Sequence, residues 1–214
     1  MDEEISTINA SAKSEKIKNF FIKNKKKLAI SLSLTILLIL SYFAYGEFDK
    51  RSKIKIANKY NNLVINFISG DQLNIESEMI KIINSKDKTY SPLALYFLLD
   101  NNIINSKQKI NSLFDILINE TKVDKEINNL IIYKKALYNS EFETEINLLN
   151  ILKPLLNSNS VWKSHALLLM GDFFYSKGEK KKSKEFYLKI TNLKLVNQNI
   201  LLKAQKKIRR DFNE

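Results

Sequence analysis

Few residues in this sequence have types and spacings that could do chemistry. There is one histidine, His165, and no cysteine. A protein metal site needs three or four ligands, and His165 has no second His and no Cys to join it. A Ser–His nucleophile pair would need a presenting turn such as Gly-x-Ser-x-Gly, which is absent. Gly178-Glu179-Lys180-Lys181 is similar to a phosphate loop only superficially: the earlier Gly and the following Ser or Thr are missing at the required spacing. Carboxylates are scattered among lysines, with no isolated pair to serve as an acid/base couple. No catalytic residue, metal, cofactor or small-molecule substrate is expected, and the chemistry left to the chain is binding.

The element that must position any such surface is Leu28 to Gly46, 19 residues without a charge. At about 1.5 Å per residue it forms a helix of roughly 28 Å, the thickness of a bilayer's hydrocarbon. Ten of its residues are Leu, Ile or Phe, each favouring insertion by about 0.3–0.6 kcal/mol near the centre of the span. Its three Ser and one Thr can bond back to the helix's own carbonyls. Lys25, Lys26 and Lys27 border one end; Tyr42, Phe43 and Tyr45 crowd the other, where interfacial aromatics belong. An alternative is a signal peptide cleaved after Ala44-Tyr45-Gly46, a small-x-small site. Against it stand the length of the apolar run and the 27 residues before it.

The domains expected are thus a basic leader at 1–27, a transmembrane helix at 28–46 and a folded domain at 47–214. The leader is acidic first (Asp2, Glu3, Glu4) and lysine-rich later. Ser14 to Phe21 reads either as a short surface helix with Ile17, Phe20 and Phe21 on one side, resting on anionic lipid, or as a solvated leader. Seven lysines precede the span; Lys50, Arg51, Lys53, Lys55 and Lys59 follow it. The second set opens a long domain, and long translocated domains tolerate positive charge. This predicts a single-pass bacterial inner-membrane protein with a cytoplasmic N-terminus and a periplasmic C-terminal domain. The net charge is +12, but only three of 35 basic residues are Arg, and no Arg-rich, aromatic-interleaved module points to nucleic acid.

Four Gly and two Pro in 214 residues indicate an all-α chain. Helices are predicted at 54–68, 73–83, from Ser91-Pro92 (Ser as N-cap, Pro first) onward, 107–118, 124–138, 143–156, 161–176, 180–193 and 198–212, with the third and fourth paired and the fifth and sixth paired. Leu73, Leu93, Ile127, Leu137 and Ile146 are counted among their apolar residues. Alternate helices start near Ser91, Asp124, Ser160 and Asn197, about 33–37 residues apart, the period of stacked tetratricopeptide-type helix pairs. Such pairs bury their faces only by stacking into an α-solenoid. The best repeat follows Ser160: Leu167, Met170, Gly171 and Phe174 fall at the repeat's W, L, G and Y positions, and Ser183 and Tyr187 at the small and aromatic positions of its second helix. Gly171 predicts a close helix approach.

First helices line the concave face of such stacks. His165, Leu168, Asp172 and Tyr175 lie on one stripe at i, i+3, i+7 and i+10, with Tyr133 the comparable residue one pair earlier. These five are the candidate partner-binding residues; the alternative is that they pack on a neighbouring helix. Gly178 to Glu214 holds 11 basic and four acidic residues. This segment reads as a solvated lysine face or one meeting anionic lipid or an acidic partner.

The layout resembles the YfgM-like proteins, ancillary subunits of the Sec translocon, and the alphaproteobacterial type in particular. The resemblance rests on Leu152-Lys153-Pro154-Leu155-Leu156, Val161-Trp162-Lys163-Ser164-His165-Ala166, Gly171, Gly178 and the basic helix after it. It departs in the first three repeats, where Ile, Leu and Asn replace expected alanines. It implies a chaperone-associated role in the envelope: an anchored tetratricopeptide-like scaffold for protein–protein interaction, beside the translocon and a membrane-anchored periplasmic folding factor, receiving exported chains. The other readings are a secreted peptide-binding module released by signal cleavage and an anchored envelope regulator.

Overall fold

The computed structural model describes the backbone of residues 2–212 and the side chains of residues 18–212 apart from 20 and 21. The described residues are helical, without a strand. The helices are α1 (Asp2–Ile68), α2 (Ile75–Asn84), α3 (Tyr90–Asp100), α4 (Lys107–Asn119), α5 (Lys125–Asn139), α6 (Glu145–Leu156), α7 (Trp162–Ser176), α8 (Lys180–Thr191) and α9 (Gln198–Asp211). Two compact units divide the chain, Met1–Lys55 and Ile56–Glu214, and the division falls within α1.

In the first unit the backbone is helical from Asp2. The leader face expected from Ile17, Phe20 and Phe21 lies outside the described side chains. Every residue from 29 to 48 is exposed, and Leu34, Leu37, Leu38 and Leu40 each show 60% or more of their surface. This helix is long and apolar enough to span a membrane. Just after the apolar run, Arg51 pairs with Glu47 at 2.7 Å and Lys53 with Asp49 at 2.5 Å, i,i+4 pairs typical of a helix in water.

In the second unit consecutive helices pack on one another from α2 to α9. Next-but-one contacts join α2 to α4, α5 to α7 and α7 to α9. The end of α1 joins through rings: Tyr60 meets Tyr90 at 5.6 Å and Phe67 meets Phe97 at 5.2 Å. Three apolar clusters run along the unit, centred on Met79, Leu98 and Phe114, then on Leu148, Met170 and Phe174, then on Tyr187, Ile190 and Ala204. Helix α7 touches α5, α6, α8 and α9. Nine of its 15 residues are buried, so it is apolar nearly all round, as a helix enclosed by neighbours must be.

Local chemistry explains the boundaries. Ser106 and Thr144 accept the amides of Lys109 and Asn147, each at 3.3 Å, and Asn197 accepts those of Asn199 and Ile200, N-caps that satisfy orphan donors. At the end of α7, Gly178 sits at φ 78° and the Glu179 amide reaches back to the Phe174 carbonyl at 2.9 Å, a left-handed stop that suits Gly.

Several expectations are corrected. Ser91 does not cap α3. The Asp87 carboxylate accepts the amides of Thr89 and Tyr90 at 2.9 and 2.7 Å, so the helix begins at Tyr90. Ser91 is instead fully buried, donating to the Ile82 carbonyl at 2.7 Å and tying α3 to α2. Accordingly α3 packs more extensively on α2 than on α4. Leu73, Leu93, Ile127, Leu137 and Ile146 are exposed rather than core: α2 begins only at Ile75, after Asn74 at φ 61°, which leaves Leu73 in the preceding loop, and the other four stand at the edges of broad apolar stripes, beyond the width that a neighbouring helix covers.

Among the ion pairs, Glu78 takes Lys59 at 2.6 Å and Lys81 at 2.5 Å. Hydrogen bonds from these two ammonium groups hold its carboxyl down at about 2, against an ordinary 4.5. A depressed carboxylate stabilises the fold above its unfolded pKa, and that contribution fades as pH falls from about 4.5 through about 2. In thermal melts, Glu78→Gln should therefore lower Tm at neutral pH, and the gap to the wild type should close on acidification across that window.

Candidate protein-binding face

The alternate helices α5 and α7 present the five candidate residues, Tyr133 on α5 and the other four on α7, and α9 packs beside α7. The α5–α7 junction is set at the start of α7. The Ser160 hydroxyl accepts the Trp162 amide at 3.1 Å and donates to the Glu126 carboxylate at the start of α5 at 2.6 Å. That clamp brings three rings together: Tyr133 lies 5.6 Å from Trp162 and 5.6 Å from His165, and Trp162 lies 4.8 Å from His165. The His165 Nδ1 sits 3.3 Å from the Val161 carbonyl one turn back.

The electrostatics follow from this crowding. Burial lowers the His165 pKa below its ordinary 6.5; the Lys203 charge adds to that, and the Val161 carbonyl opposes it. Burial raises the Tyr133 phenol, and the Asp172 charge raises it further. Asp172 accepts the Tyr187 hydroxyl at 2.5 Å and pairs with Lys207 of α9 at 2.9 Å. Burial first, and Asp172 next, lift the Tyr187 phenol well above its ordinary 10.

Of the five candidate residues, Tyr133 and His165 touch, and Asp172 lies within electrostatic reach of Tyr133. Leu168 is 9% exposed and packs in the cluster of Tyr187, Ile190, Ile200 and Ala204, so its role here is packing. Tyr175 is 37% exposed, with its ring 6.1 Å from that of Phe212. Sequence reasoning missed Trp162, Lys203 and Lys207. Trp162 and His165 are three apart, a spacing that puts two rings on one helical face; the α9 lysines carried no comparable signal.

A second feature lies on the same series of helices. Whereas α5–α7 and α7–α9 pack directly, α3 and α5 have no comparable packing. Between them is a groove of about 350 Å³ lined by Pro92, Leu93, Tyr96, Ile127 and Leu130 among others. Leu130 is one turn from Tyr133, so the groove adjoins the ring cluster. Its walls are mostly apolar. The Tyr96 hydroxyl is buried without a hydrogen-bond partner among the described residues, and burial pushes its pKa up to about 12. An unpaired buried hydroxyl costs about 1–3 kcal/mol. Among the described residues, no three His, Asp or Glu side chains are grouped to hold a metal ion. The surface suits side-chain docking: apolar walls, ring edges and a few directional polar groups.

Trp162 is the sole tryptophan and reports on this face directly. A depressed His pKa means that folding opposes protonation: the ring cluster is intact above about 6.5 and is loaded with charge as pH falls below it. Trp162 emission should drop on acidification with a midpoint below 6.5, because an imidazolium quenches an adjacent indole. His165→Gln should abolish the transition.

No protein-family model matches this sequence, and neither the curated proteins nor the solved structures provide a match.

Proposed function

We propose that the chain is a membrane-anchored, tetratricopeptide-type α-solenoid that docks protein partners on the face presented by α3, α5, α7 and α9. One observation carries the reading. Helices α5, α7 and α9 stand side by side, with an apolar groove between α5 and α3, a Tyr–Trp–His cluster on α5 and α7 and cations on α9. The helix starts, at Tyr90, Lys125, Trp162 and Gln198, keep the spacing of such repeats. The exposed apolar run in α1 supports the anchor. With the lysines before the span, it favours a cytoplasmic N-terminus and a periplasmic domain in a bacterial inner membrane.

The YfgM-like resemblance supplies the partner class: translocon subunits, an anchored periplasmic folding factor and exported chains. Copurification from gently solubilised membranes tests this. The wild type should recover translocon or envelope-folding components, and Leu93→Asp with Ile127→Asp, both at exposed groove positions, should lose them. Recovery of cytoplasmic factors alone by the wild type would contradict the proposal.

A further inference from the structure

We infer that the outward face of α8 and α9 is a docking surface for an anionic lipid headgroup layer. The inference rests on the anchored reading above. On α8, Lys181 and Leu188 lie two turns apart at i and i+7, with the partly buried Lys184 between them; on α9, Leu202, Lys206 and Arg209 follow one another at i, i+4 and i+7. Each set shares one helical face. The two faces abut, because Leu188 and Thr191 of α8 line a shallow depression of about 430 Å³ with Gln205, Ile208 and Arg209 of α9.

The surface combines charge with grease. Leu188 is 42% exposed, Leu202 59%, and Leu195 in the intervening loop 56%. Lys181, Lys206 and Arg209 enter no ion pair among the described residues. Of the nearby acids among the described residues, Glu179 is taken by Lys182 and Asp211 by Arg210, and Glu185 is exposed. Leu202 on α9 and Leu188 on α8 are thus large apolar side chains left exposed on helix faces that are otherwise basic. Large leucines set among cations are the composition of an interfacial helix: the aliphatic chains enter the headgroup boundary while lysines meet lipid phosphate.

Charge complementarity selects the occupant. The patch lacks the buried aromatic anchors that concentrate binding energy in protein interfaces. Its lysines act as point charges, suited to a diffuse anionic layer rather than to bidentate recognition. A chain tethered to a bilayer also meets that layer at high effective concentration, so weak per-residue attraction suffices.

The chain has no cysteine, so Leu202→Cys gives a unique site for a polarity-sensitive dye. The labelled full chain is placed in nanodiscs of phosphatidylcholine with or without phosphatidylglycerol. The expected result is a blue shift, and quenching by headgroup-proximal brominated lipid, only in the anionic discs. Salt should reverse both, and each of Lys181→Gln, Lys206→Gln and Arg209→Gln should weaken docking about fivefold. A dye at Lys153→Cys on α6 should stay in water throughout. Equal emission in both discs with the chain integrated overturns this inference and leaves the anchor standing. Failure to integrate overturns the anchored reading instead. A shift produced by an acidic protein or by DNA, but not by anionic lipid, also overturns the inference.

Discussion

Gly171→Leu should collapse the α7–α8 junction, with Tm falling by about 6–12 °C. A Cβ at residue 171 would lie 2.6 Å from Cδ1 of Tyr187, and closer still to Cε1. The ring cannot step aside: Tyr187 is fully buried and its hydroxyl is held by Asp172. The helices are also stitched there by the Ser183 hydroxyl, which donates to the Gly171 carbonyl at 2.8 Å. Gly171→Ala gains up to about 1 kcal/mol of helix propensity, but overpacking costs about 1–3 kcal/mol, so even alanine should destabilise. For leucine we expect the upper end, about 3 kcal/mol, and for a domain of this size each kcal/mol moves Tm by about 2–4 °C. A double-mutant cycle with Tyr187→Leu locates the cause: the two changes should be strongly non-additive, because the clash needs both side chains.

Leu37→Arg combined with Leu38→Arg should release the chain from membranes. Each arginine at the centre of a span costs about 2.5–3.5 kcal/mol and forfeits about 0.3–0.6 from the lost leucine, for a total of about 6–8 kcal/mol. The ten Leu, Ile and Phe residues together favour insertion by no more than about 3–6 kcal/mol. The margin therefore changes sign. In alkaline carbonate extraction the wild type should stay in the pellet and the double variant should move to the supernatant. Gly46→Arg, at the interfacial end, should stay with the membrane.

Much of the helical layout was legible in the residues because the determinants are local. The helix start at Asn197 and the stop at Gly178 act within a turn or two of themselves; Gly171 was legible through its place in the repeat pattern, although what it meets is Tyr187 on α8. The uncharged run from Leu28 needs only its own length. What was not legible depends on which neighbour a helix meets. Ser91 has the chemistry of a cap, yet Asp87 takes that role and Ser91 bonds to α2. Leu137 and Ile146 extend apolar stripes past the width any partner covers, and Leu73 falls in the loop before α2. Leu168 and Asp172 share a stripe with His165, but α8 and α9 close over the first and tie down the second. The ring cluster needed Ser160 to clamp α7 to Glu126, a contact 34 residues away along the chain.

One face of the helical domain is proposed to dock protein. Photocrosslinking residues placed singly at Tyr175 and Lys203 on that face, and at Lys153 on α6, test it in intact membranes. Discrete protein adducts are expected from Tyr175 and Lys203 and none from Lys153. Adducts of equal yield from all three positions, or from Lys153 alone, would contradict it.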